Sequence, residues 1–185
     1  MTFLLRIMME LTEAFTEKRK EILSLWVERT LNSYTSPGFF KKAKDPFANP
    51  VGVNTSDALH SIYDLLLSNA EPEAYQKPLD TIVRIRAVQE ITPSQAVAPL
   101  LELKWVVKQV LKSDRKTSSL LADLDNFDCE VDRIALIAFD IYTACREQVY
   151  RGRIRELKSG SYLLTDSACP SALLKEEQKS QSESN

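Results

Sequence analysis

Reactive side chains are sparse in this chain, and their spacing excludes more chemistry than it offers. One histidine, His60, stands among 185 residues, so no histidine pair is available for zinc. It lies beside Leu59 and Ile62 in a helical pattern, the setting of a partly buried structural imidazole. Asp123, Asp125 and Asp128 invite a calcium reading, but Phe127 takes a ligand position and Asp128 stands where the turn glycine belongs. The three cysteines, Cys129, Cys145 and Cys169, have no paired metal spacing, and their odd number does not suggest a disulfide framework. Glu71 and Glu73 flank Pro72 as a surface arrangement, and neither a nucleophile elbow nor a glycine-rich phosphate loop occurs. The expectation is a protein that is not an enzyme and carries no metal and no cofactor. Arg84 and Arg86 remain, two cations in a mostly apolar segment. They form either a small anion site or an ordinary helix contact from Arg86 to Glu90.

The stretch KKAKDPFANPVGVNTSD supplies the other candidates. Asp45-Pro46 and Asn49-Pro50 favour turns, and Phe47 and Val51 would pin the connection to the core. Asp45, Phe47, Asn49, Arg84 and Arg86 are therefore the candidate ligand or partner residues.

These residues must be positioned by helices. Leu11–Leu31 reads as a first helix capped by Thr12, with Phe15, Ile22, Leu23, Trp26 and Val27 inward. A second begins after Asn54, Thr55 or Ser56 and carries Leu59, Ile62, Leu65 and Leu66. Glu71–Gln76 reads as a short helical turn and Pro78 opens another helix. Its alternation of Ile82, Arg84 and Arg86 against Val83 and Ile85 has no partner strand elsewhere. Thr92-Pro93-Ser94-Gln95 is a strong start signal: a capping threonine, proline at the first helical position and glutamine at the third. Val97, Leu100, Leu101, Val107, Val110 and Leu111 line the helix that follows, with Lys104 at the stripe's edge and Pro99 expected to kink it or shift its start.

The longest pattern runs from Leu120 to Gly160. Leu120, Leu124, Phe127, Val131, Ile134, Ala138, Ile141, Cys145 and Val149 recur at helical steps, and Asp125 or Asn126 could restart the helix. About 40 helical residues would span roughly 60 Å, so this helix is expected to kink or to project and find a partner. A homodimer follows from that reading, with Ile134, Ala138, Ile141 and Cys145 as interface candidates.

With 24 basic and 26 acidic residues, the net charge of -2 argues against generic nucleic-acid binding. MTFLLRIMM is too short to span a membrane, and a second start at Met9 would make it dispensable. The expected organisation is an extension over 1–10, one helical domain over 11–160 and a polar, disordered tail over 161–185, in the cytoplasm.

KDPFANPVG (Lys44–Gly52), IVRIRAVQEITPSQAVA (Ile82–Ala98) and IAFDIYTACREQVY (Ile137–Tyr150), with Trp26, resemble one known family over about residues 13–158. It is the N-terminal domain of RsbRD-type proteins, co-antagonists of the RsbT kinase in the stressosome pathway. The resemblance implies an all-α regulatory input domain, a globin-like helical bundle with a long C-terminal helix. No histidine stands just before Thr92, in residues 78–91, so no haem is expected. Relatives carry a C-terminal STAS domain with the phosphorylated positions. Little follows Lys158 here, so the expectation is a stand-alone module acting through protein contacts, with a STAS-domain protein or kinase as its partner. The alternative is a small-molecule sensor with a pocket near Arg84, Arg86 and the Asp45–Gly52 loop.

Overall fold

The computed structural model describes residues 2–34, 49–89 and 91–159, and within them every regular element is helical. The order is α1 (Thr2–Glu17), α2 (Arg19–Asn32), α3 (Pro50–Leu67), a 3-10 turn (Pro72–Tyr75), α4 (Gln76–Ala87), α5 (Pro93–Lys112), a 3-10 turn (Ser118–Asp123) and α6 (Asp125–Ser159). Met1–Arg146 form one compact unit and Glu147–Asn185 a second. The chain is an all-α helical bundle protein. The expected polar tail lies outside the described residues.

Local signals explain most boundaries. The Thr92 side chain accepts the Gln95 N–H while the Gln95 side chain accepts the Thr92 N–H at 2.9 Å, so the capping box predicted for α5 is formed. The Asn49 side chain accepts the Gly52 N–H at 2.9 Å and Pro50 takes the first helical position. Helix α3 therefore starts before Asn54, because asparagine followed by proline is a cap as readily as a turn. It ends in a left-handed Asn69 (φ 48°), with Ala70 N–H reaching back to the Leu65 carbonyl at 3.1 Å.

The first helix differs from expectation. It begins at Thr2, so the predicted extension over 1–10 is helical from its second residue, and Thr12 lies in its interior. Leucines and methionines propagate the helix upstream of Thr12, whose capping preference acts only where a helix already ends. Lys18 then separates α1 from α2, although Ile22 N–H still donates to the Lys18 carbonyl at 3.0 Å.

Helix α2 packs along α5 and α3 along α4. Trp26, Ile22, Leu59, Tyr63, Leu79, Val83, Val107 and Leu111 fill the centre and are fully buried. Each such aliphatic side chain stabilises the fold by about 1.5–3 kcal/mol. Phe15 and Phe127 pack with their rings tilted by 48° and 5.0 Å between centres, which ties α1 to the start of α6. The long helix does break at the acidic cluster: Leu120 belongs to the 3-10 turn and α6 starts at Asp125. Lys104 pairs with Asp132 and Lys108 with Asp128, both at 2.6 Å. The partners descend along α5 as they rise along α6, so the two helices run antiparallel.

Candidate partner surface

Arg84 and Arg86 are two residues apart on α4, about 200° around the helix, and cannot share one face. Arg84 is exposed, and its Nε donates to Asp80 one turn back at 2.5 Å. That hydrogen bond holds the guanidinium above its ordinary range. Arg86 is 1% exposed. Its Nη1 donates to the Gln95 carbonyl at 3.1 Å, and its Nη2 to Ser33 Oγ at 2.6 Å and to the Thr30 carbonyl at 3.4 Å. The guanidinium lies 4.4 Å from the centre of the Tyr34 ring. Burial pulls its pKa below the ordinary value, opposed by Tyr34 and Glu102.

The Gln95 carbonyl is available to Arg86 for a sequence reason. Residue 99 would normally donate to it, but Pro99 has no N–H. The proline continues α5 and leaves an acceptor that a cation from α4 takes. The Pro99 carbonyl in turn accepts Trp26 Nε1–H at 2.7 Å. Through the Thr30 carbonyl Arg86 also reaches the last turn of α2, the negative end of that helix. This side chain is a buried tie between α2, α4 and α5, not an arm for a ligand.

The other predicted residues scatter. Asp45, Phe47 and Glu90 lie outside the described residues, and Asn49 is the buried cap of α3. His60 is half-buried on α3. A groove of about 660 Å³ runs between α3 and α4, lined by Asp57, Ser61, Asp64, Lys77 and Thr81 among others, but neither arginine borders it. Asp64 on its rim is engaged by Arg19 at 2.9 Å. Among the described residues no three metal-ligating side chains cluster, and no helix is long and apolar enough to cross a membrane.

The dimer candidates need correction. Ile134, Ala138, Ile141 and Cys145 are all buried in the chain's own core. Within the unit Met1–Arg146 the apolar stripe of α6 is covered by the same chain, so it requires no second copy. Periodicity identified an apolar face but not what lies against it. Val149, the last residue of that pattern, is 41% exposed.

Other apolar side chains stand outside the core. On α5 these are Leu101 (41% exposed) and Trp105 (45%), and on α6 Leu136 (66%) and Phe139 (44%). Leu101 was expected inward, yet it lies one turn before Lys104, on the outer edge of α5. Leu136 lies one turn after Asp132. Leu101 and Leu136 thus each lie one turn beyond the Lys104–Asp132 pair on their own helices. Arg29 caps the far edge, 4.3 Å over the Trp105 ring and 2.8 Å from Glu102. The only advance signal for Leu136 and Phe139 was an apolar residue out of phase with the stripe.

These helices, from the beginning of α2 almost to the end of α6, coincide with one family. The RsbT co-antagonist protein RsbRD N-terminal domain matches residues 20–157. The chain belongs to this family. The RsbRD N-terminal match takes in the elements after α1 but for Arg19 and the last two residues of α6, and includes the Arg86 tie and the exposed apolar residues of α5 and α6. No curated protein and no solved structure matches the chain.

Proposed function

We propose that this RsbRD-family domain is a regulatory input module that self-associates and acts by contact with a further signalling protein. The observation that carries the reading is the set of exposed apolar side chains, Leu101 and Trp105 on α5 and Leu136 and Phe139 on α6, on a chain of this family. A monomeric soluble domain rarely leaves several large apolar side chains together in water without a partner for them. Under this reading the module works in the cytoplasm, catalyses no reaction and holds no cofactor. Its partner is a STAS-domain protein or a kinase of the RsbT kind. A globin-like arrangement of the bundle belongs to the same proposal and rests on the resemblance alone.

Affinity capture of the full chain from its native host, with mass spectrometry, tests this. A STAS-domain protein or RsbT-like kinase is expected with the natural chain, lost with Trp105→Asp and retained with Lys77→Glu on the α3–α4 groove. Recovery of the chain without either protein, together with a melting temperature raised by a small metabolite, overturns it. The small-molecule reading near Arg84 and Arg86 has no observation in its favour, because one arginine is paired in solvent and the other is locked in the core.

A further inference from the structure

The groove between α3 and α4 carries two charges that the bundle leaves unanswered. On α3, Asp57, Ser61 and Asp64 recur at steps of four and three and so share one wall of the groove. Arg19 holds both oxygens of Asp64, at 3.0 and 2.9 Å, which neutralises that carboxylate. Asp57 is exposed, and among the described residues no cation or hydrogen-bond donor engages its carboxylate. Lys77 on α4 lines the opposite wall. It is exposed too, and its ammonium likewise has no partner among the described residues. The two charges border one groove without closing on each other.

The hydroxyls on the two walls set which way hydrogen bonds can run. Ser61 Oγ donates to the Asp57 carbonyl at 2.9 Å, and Thr81 Oγ1 donates to the Lys77 carbonyl at 3.1 Å. Each hydroxyl uses its single proton within its own helix, so toward the groove it can only accept. An occupant beside Asp57 therefore meets acceptors, the surroundings that an ammonium group needs. Lys77 offers the opposite, a positively charged donor that suits a carboxylate. Between them the floor is apolar: Ala58 is buried, and Leu65 and Pro78 are half-buried. At about 660 Å³ the groove has the volume of a small-molecule site.

We infer that the α3–α4 groove binds a zwitterion of the amino-acid or short-peptide class. Its ammonium sits on Asp57 and Ser61, its carboxylate on Lys77, and its apolar side chain along Ala58, Leu65 and Pro78. A simple cation would be repelled by Lys77 and a simple anion by Asp57, so the groove favours a molecule that bears both charges. The inference goes beyond the protein-contact reading. It gives the input domain a ligand, on helices other than those that carry Leu101, Trp105, Leu136 and Phe139.

Isothermal titration calorimetry on the full chain provides the test. The probes are L-leucine, the dipeptide leucyl-alanine, and two leucine analogues that each lack one charge, isoamylamine and isocaproate. The zwitterions bind, and loss of either charge weakens binding by about fivefold, the scale of a solvent-exposed ion pair. Tighter binding of L-leucine assigns a free amino acid, and tighter binding of the dipeptide assigns a peptide. With Asp57→Asn, L-leucine and isocaproate bind alike, because the ammonium has lost its partner. With Lys77→Gln, L-leucine and isoamylamine bind alike for the corresponding reason. Circular dichroism checks that both variants keep the natural fold. No heat from either zwitterion, equal binding of L-leucine and its two analogues by the natural chain, or full affinity in both variants overturns the inference. None of these outcomes bears on the capture of a signalling protein, so the two proposals fail separately.

Discussion

Arg86 and Leu136 exchange the places their side chains would ordinarily take. The arginine is 1% exposed and the leucine 66%. At Arg86 the chain has supplied three kinds of partner: the end of α2, a carbonyl left open by Pro99 in α5, and the face of Tyr34. Leu136 stands in water, with Arg133 before it and Asp140 after it on exposed positions of α6. A buried cation hydrogen-bonded through both terminal nitrogens is a structural tie, even with its Nε unpartnered, whereas an exposed leucine between opposite charges is a surface awaiting something. The difference predicts that changes at the first site cost stability and changes at the second cost association.

The largest expected effect is at the tie. Arg86→Ala leaves a cavity and strips donors from Gln95 and Ser33, and should cost about 3 kcal/mol or more in urea denaturation. A loss below about 0.5 kcal/mol would mean that the side chain is not integral to the bundle. Trp26→Phe keeps most of the buried ring but removes the donor to the Pro99 carbonyl, an expected loss of about 1–2 kcal/mol. Thr92→Ala opens the capping box and should cost about 1 kcal/mol, read in the same way. Leu136→Asp sits at the other extreme: stability within about 0.5 kcal/mol of the natural chain, measured at a concentration where association is absent.

A pH scan sharpens the core side of the comparison. The Tyr63 hydroxyl donates to the Phe15 carbonyl at 3.0 Å, and burial raises its pKa well above the ordinary 10.0. Tyr75 is pushed up to about 12 by the same cause, with Glu130 adding to it. For a group raised on folding, the stabilisation is complete below the unfolded pKa and is lost as pH rises through the folded one. Stability should therefore hold to about pH 10 and fall above it. Tyr63→Phe should shift the alkaline unfolding midpoint upward, and an unchanged midpoint would assign the transition to other groups.

Much of the fold was written locally. Thr92, Pro93 and Gln95 specify the start of α5 within four residues, and Asp125 marks the restart of the last helix, because caps and helix formers act over single turns. The alternation around Arg84 and Arg86 lies in a helix, since among the described residues there is no strand to pair with it. The resemblance over the Lys44–Gly52, Ile82–Ala98 and Ile137–Tyr150 motifs was likewise in the residues themselves, and the family match agrees.

The candidate sites were not legible in that way. From the sequence, Arg84 and Arg86 are equivalent cations, and only the arrival of α2 and α5 on one side of α4 separates a surface ion pair from a buried tie. Ile134, Ala138, Ile141 and Cys145 showed that α6 has an apolar face, while tertiary structure decided that the chain covers that face itself. Leu136 acquires meaning only once the buried side of α6 is known. Helical periodicity is set by backbone geometry and can be read along the chain. What lies against each face depends on segments distant in sequence, and that is decided by packing.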